Sequence, residues 1–272
     1  MDPFIDRLAA SAERADSWLC VGLDPDPEKY PADLDADATT EFLQGIIEAT
    51  KRVACAYKPN AAFFEALGPE GHSILADTIA AVPNEIPVIM DGKRNDIGHT
   101  AHKYAESAFD ELGADAVTVT PYLGRDTIEP FTSYEDRGVF VLARTSNPSA
   151  PDLQDLPLGP EGIPLWQAVA TKAVREWNPH GNIGLVAGAT YPDELSRIRA
   201  LCGDGIPLLI PGVGAQGADA KTTIAEGGDT SGRFAIVNVG RAVMYAGSGD
   251  DWRSQVQAAA EGFAADLRTV EA

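Results

Sequence analysis

The chain of 272 residues carries 41 Asp and Glu against 21 Lys and Arg, a formal net charge of −20, with 44% hydrophobic residues. This is ample for one large core, and the acidic balance speaks against nucleic acid or an anionic membrane as partner. No apolar run reaches the roughly 18 residues of a membrane-spanning helix, and the acidic, amphipathic start MDPFIDRLAASAERADSW does not read as a signal peptide, so a cytoplasmic protein is expected.

The first apolar run, SWLCVGLD (17–24), ends in Asp24, and the helix-spaced TTEFLQGIIEATKRV follows it. VACAYKP (53–59) ends around Lys58, and IPVIMDGK (86–93) ends in Asp91 and Lys93 before the helical pattern HTAHKYAESAFDELG. ADAVTVTP (114–121) reaches Thr120, and GVFVLART (138–145) reaches Arg144 to Ser146. After PLWQAVATKAVREW come NIGLVAGAT (182–190), PDELSRIRALC, IPLLIPGVG (206–214) and FAIVNVGR (234–241), with polar or glycine ends at Thr190, Gly212 and Arg241. Eight alternations of short strand and helix predict an α/β fold, a (β/α)8 TIM barrel forming a single domain over 1–272. In such a barrel the C-terminal strand ends share one mouth, so these polar ends should converge there.

The densest cluster is DGKRNDIGHT (91–100), directly after an apolar run. Residues two apart on a strand face one side, so Asp91 and Lys93 should project together, with Asp96 on the following turn. Nearby carboxylates favour the ammonium form of Lys93. A Schiff-base lysine needs an apolar pocket or a neighbouring cation, the opposite surroundings. The pattern therefore suits donating a proton or stabilising a developing negative charge, and D-x-K alone fits a structural ion pair at a barrel rim equally well. In IPGVGAQGAD (210–219), three glycines and a helix start at Asp219 leave backbone N–H groups to hold an anion. In VNVGRAVM (237–244), Gly240 allows close approach and Arg241 supplies a planar fork. Loops after strands seven and eight are where barrels often bind a phosphate.

LDP (23–25), YKPN (57–60), DGKRNDIGHT (91–100), PGVGAQGAD (211–219) and VGRAVM (239–244) together resemble orotidine 5'-phosphate decarboxylase. RTSNP (144–148) and VAGATYPDEL (186–195) resemble its longer bacterial and archaeal branch. The resemblance runs in order from about residue 17 to 245. It implies a homodimer that converts orotidine 5'-monophosphate to UMP and CO2, in de novo pyrimidine synthesis, without metal or organic cofactor. It further implies that Lys93 is the proton donor to C6, that Asp91 lies against the substrate carboxylate, and that Asp96 and Thr100 reach in from the partner subunit. Asp24 and Lys58 would hold the ribose hydroxyls, Ser146 the pyrimidine amide, and Gly212, Gln216, Gly240 and Arg241 the phosphate. Asn60 is a looser candidate for the same site.

Two other readings stay open. One is a metal-dependent sugar-phosphate lyase of the same barrel superfamily, although Lys58 stands where such enzymes carry an acidic metal ligand. The other is a catalytically silent phosphate-binding barrel. The Pro-rich segment 147–164 is expected as a lid over the mouth, or else as a plain surface excursion. His99 and His102 share a helix start without an obvious third ligand and read as surface or interface residues. Cys20, Cys55 and Cys202, with no C-x-x-C spacing, read as buried reduced thiols, and Trp18, Trp166 and Trp177 as core. With only seven lysines and acids scattered throughout, the chain is expected to be halophilic, suited to a cytoplasm near molar salt, where the Debye length shrinks to roughly 3 Å.

Overall fold

All eight apolar runs become parallel strands of one sheet: β1 Leu19–Leu23, β2 Ala56–Pro59, β3 Ile89–Arg94, β4 Ala116–Val119, β5 Gly138–Arg144, β6 Ile183–Ala187, β7 Leu208–Pro211 and β8 Ala235–Val239. The computed structural model describes residues 2–31, 34, 38–214 and 217–268. The strand order is β2-β1-β8-β7-β6-β5-β4-β3. Bridges between Tyr57 and Val88 and between Asn60 and Asp91 join the two ends, so the sheet closes into the expected barrel. Closure explains why the runs are continuous in Val, Ile, Leu and Ala rather than alternating. One face fills the barrel and the other packs on helices, so both are buried.

The helical patterns form where expected, at Thr39–Thr50, Gly98–Glu106, Leu165–Arg175 and Pro192–Cys202. Pro192 sits at the first turn of the last of these with Asp193 and Glu194, and Gly203 ends it, a sequence matched to the helix dipole. The pattern predicted to run to residue 113 instead widens after Glu106 into a π turn, Ser107–Glu111, which turns Phe109 into the core.

The amphipathic N-terminus becomes the helix Phe4–Ala15 and covers the N-terminal ends of the strands. Phe4 packs edge-on against Phe140 at 5.8 Å between centroids. Gly138 makes room, since a Cβ there would lie 2.4 Å from the Phe4 ring. This leaves the opposite end of the barrel, where the polar strand ends gather, as the open mouth. Trp18 and Trp166 are core and Trp177 packs against it; Cys20 and Cys55 are buried free thiols, whereas Cys202 is only half-buried. Among the described residues no helix is long and apolar enough to cross a membrane.

Candidate active site

The mouth is organised around Asp91, on β3. Its Oδ2 accepts a hydrogen bond from Lys58 Nζ at 2.8 Å, from the end of β2. Its Oδ1 accepts from Lys93 Nζ at 2.6 Å and from Thr118 Oγ1 at 2.8 Å, the latter on β4. Burial would push the Asp91 carboxyl up, but the two ammonium groups outweigh it and hold it well below the usual carboxylate range. Burial likewise works against the charge on Lys58, yet the carboxylates of Asp91 and Asp24 prevail and hold it above the ordinary lysine range. The outcome is a carboxylate gripped between two cations of different depth: Lys58 is buried, whereas the Lys93 side chain is 47% exposed and faces the mouth.

Asp91 and Lys93 do converge, but a flat strand is not what brings them together. Met90 pairs with Val117 and Arg94 with Val119, so residues 91–93 stand opposite the single residue Thr118. This is a bulge, and within it Lys93 adopts a φ of 45°, a left-handed conformation costing about 1–3 kcal/mol in a residue with a Cβ. Gly92, inside an otherwise apolar strand pattern, was the readable sign of it. Thr118, which the sequence did not single out, fills the bulge: its Oγ1 also accepts the Lys93 backbone N–H at 2.9 Å.

Asp24 follows β1 beside this cluster. Burial pushes its carboxyl up, against the pull of the Lys58 ammonium. Its Oδ1 is buried with no hydrogen-bond partner, an orphan acceptor at the edge of the mouth. The backbone is held from behind by Tyr245, whose hydroxyl donates to the Asp24 carbonyl at 2.9 Å. Gly22 and Gly240 let β1 and the turn after β8 touch, since a Cβ on Gly22 would lie 2.9 Å from Gly240 Cα. That contact brings Gly240 close to Asp24, since a Cβ on Gly240 would lie 3.5 Å from Asp24 Oδ2, and the exposed Arg241 follows it at the start of the helical turn Arg241–Met244. Among the described residues Arg241 has no acidic partner.

Ser146 lies just past β5, pressed against Gly188 after β6, where a Cβ would come within 2.9 Å of Ser146 N. The preceding Arg144 is buried, lies 4.0 Å over the Tyr191 ring, and reaches Gln154 Oε1 at 3.2 Å and Asp155 Oδ2 at 3.3 Å. Gln154 in turn binds the Thr145 backbone N–H at 2.9 Å and hydroxyl at 2.7 Å. The segment 147–164, a short helix Pro151–Gln154 and a hairpin pairing Pro157–Leu158 with Ile163–Pro164, is thereby tied to the mouth beside Ser146. Arg144 was expected among the polar strand ends, but Gln154 and its bond to Arg144 were not anticipated, because only the folded chain brings the two within reach of each other.

Gly212, with φ of 118°, ends β7 in a conformation that needs glycine. Gln216 lies outside the described residues. At the helix start the Asp219 carboxylate accepts the Thr222 N–H at 2.7 Å, which commits that one donor. Asn60 likewise caps a helix, accepting from the Ala62 N–H at 3.1 Å.

Asp96 and Thr100 stand apart from this cluster. Asp96 Oδ1 accepts from the Ile97 N–H, and no ion pair joins it to Lys93 of the same chain among the described residues. Thr100 is exposed on the first turn of Gly98–Glu106, as are His99 and His102 on that helix. No group of three metal-ligating side chains occurs among the described residues.

Known proteins share this arrangement of chain. The family described as "Orotidine 5'-phosphate decarboxylase / HUMPS family" matches residues 17–252. A protein of Azoarcus sp. (strain BH72) named orotidine 5'-phosphate decarboxylase is 46% identical, covering 94% of this chain and 95% of that one. Its namesake in Roseiflexus sp. (strain RS-1) is 47% identical, covering 94% of each. Among solved structures, the Leishmania donovani OMP decarboxylase superposes with a TM-score of 0.84 at 41% identity, over 98% of this chain and all of that one. The Leishmania donovani UMP synthase gives 0.87 at 43% identity over 98% of this chain, which spans 57% of that longer one. With near full-length identity on this scale and the same barrel, the chain belongs to the orotidine 5'-phosphate decarboxylase / HUMPS family.

Proposed function

We propose that the chain decarboxylates orotidine 5'-monophosphate to UMP and CO2, with Lys93 supplying the proton that takes the place of the carboxylate at C6. The C6–carboxylate bond breaks with its electron pair left on C6, that pair takes a proton from Lys93 Nζ, and solvent reprotonates the amine. A carbanion on an sp2 ring carbon has little resonance relief. A fixed ammonium is the group that stabilises it, because the charge it meets appears only in the transition state. The observation that carries this reading is the grip on Asp91. Lys58 at 2.8 Å neutralises the carboxylate from below, so Lys93 at 2.6 Å is held in place by it with its ammonium toward the mouth.

The remaining roles follow from position. The orphan Oδ1 of Asp24 accepts a ribose hydroxyl, with Lys58 beside it. Ser146 meets the pyrimidine amide, and Arg241, the backbone of Gly212 and Gly240, and Gln216 hold the phosphate. Asp96 and Thr100 serve the site of a second copy in a homodimer. Supporting this, the segments after the adjacent strands β2, β3 and β4, from which Asp96 and Thr100 also come, expose the apolar Phe63, Ile97, Tyr122 and Leu123. A metal-dependent lyase is disfavoured because the Lys58 ammonium already occupies the inner face of Asp91. No metal or organic cofactor enters the reaction.

The test is the loss of absorbance as orotidine 5'-monophosphate becomes UMP, in molar KCl with EDTA. Wild type should turn over, and Lys93→Ala should be at least about 10²–10³-fold slower. A folded wild type that is inert here but converts sugar phosphates once Mg2+ is added would overturn the reading.

A further inference from the structure

We propose that Thr118 is a positioning residue for the proton transfer, holding the β3 bulge in the one shape that aims Lys93 at the substrate; this rests on the decarboxylase reading above. A threonine hydroxyl has one proton to give and lone pairs to receive. Here both are committed. The proton goes to Asp91 Oδ1 at 2.8 Å, since an ionised carboxylate can only accept, and a lone pair takes the Lys93 N–H at 2.9 Å. Thr118 is 1% exposed and its bond to Asp91 is buried, so water does not replace that bond when the hydroxyl is lost.

The geometry makes this one atom a link between two parts of the same residue. Lys93 has its backbone on Thr118 Oγ1 and its ammonium on Asp91 Oδ1, and Thr118 bonds to that same Oδ1. The backbone of Lys93, a non-glycine residue at φ of 45°, returns toward an ordinary strand unless something holds it. In an ordinary parallel ladder its N–H would pair with the neighbouring backbone; the bulge sets 91–93 against one residue and leaves that N–H to a side chain. Removing the hydroxyl therefore takes the Lys93 N–H's partner away, takes a donor from Asp91, and frees the bulge to flatten, moving the ammonium. Misplacement by about 1 Å can cost around 10²-fold in rate. The groups assigned to ribose, pyrimidine and phosphate stand on β1, β2, β5, β7 and β8 ends, and the hydrogen bonds of Thr118 go to Asp91 and Lys93 instead, so binding should survive.

The experiment compares wild type, Thr118→Val and Thr118→Ser. Val should lower kcat by roughly 10–10²-fold with KM and UMP affinity within about threefold. Ser, which restores the hydroxyl, should return kcat to within about threefold of wild type. Hydrogen exchange of the Lys93 amide should be slow in wild type and Ser and fast in Val. If Val does not fold, Thr118→Ala takes its place, with the same outcomes expected. Wild-type kcat in the hydroxyl-free variant overturns the proposal, as does a loss of kcat matched by loss of UMP affinity, or Ser as impaired as Val. A wild type inert on orotidine 5'-monophosphate refutes the decarboxylase reading separately; the Lys93 amide then still reports whether Thr118 holds the bulge, and fast exchange in wild type refutes that.

Discussion

Lys58 and Lys93 touch the same carboxylate from different depths, and the depth decides what each loss costs. Lys58 is 4% exposed, so Lys58→Met leaves Asp91 buried beside Asp24 with half its neutralisation gone. Breaking a buried pair in this way costs about 3–5 kcal/mol. Lys93, half in solvent, belongs with pairs that contribute little to stability. Urea unfolding should therefore show a large loss for Lys58→Met and little change for Lys93→Met, while turnover collapses in both. The pH dependence follows from the same shifts. The depressed Asp91 carboxyl contributes stability that is full above the ordinary Asp value and lost as pH falls through its lowered one. The raised Lys58 contributes fully below the ordinary lysine value and loses its share as pH rises through the higher one. Between about pH 4 and 10 their joint contribution is flat. In Lys58→Met the acid unfolding midpoint should move to higher pH; an unmoved midpoint would mean that Lys58 does not hold Asp91 ionised.

Strands and their ends show where sequence is legible and where it is not. The eight runs could be read because a strand buried on both faces must be apolar throughout, and its polar end marks the mouth. The bulge could not, since it depends on the register of β3 against β4, and only Gly92 hinted at it. The segment around Glu106 misleads for a related reason: a 3.6-residue period does not say where a turn widens. Gly188 offers a test at this level. A Cβ there meets Ser146 N and Cβ at 2.9 Å, against backbone that cannot swing away. Gly188→Ala should cost about 1–3 kcal/mol of stability and raise KM by parting the ends of β5 and β6. A melting temperature and KM equal to wild type would show that this approach is slack.

At the scale of the whole molecule, a chain of −20 charge takes a phosphorylated carboxylate as its proposed substrate. Lys58, Lys93 and Arg241 supply a local positive focus at the mouth, while the surrounding acids repel at range. Salt near 1 M cuts that repulsion to roughly 3 Å of reach. Stability and substrate affinity should both fall on dialysis into dilute buffer; affinity that rises as salt is removed would contradict this account of the acidic surface.

The proposed site sets Lys93 and Asp91 of one chain against Asp96 of a second copy, and a hybrid dimer tests this. Lys93→Ala and Asp96→Ala homodimers should each be nearly inert. In a hybrid, one site carries both lesions and the other carries neither. Co-expression in equal amounts should then restore roughly a quarter of wild-type sites, each with wild-type KM. Mixed dimers that form and stay inert, or an Asp96→Ala homodimer with wild-type turnover, would contradict it.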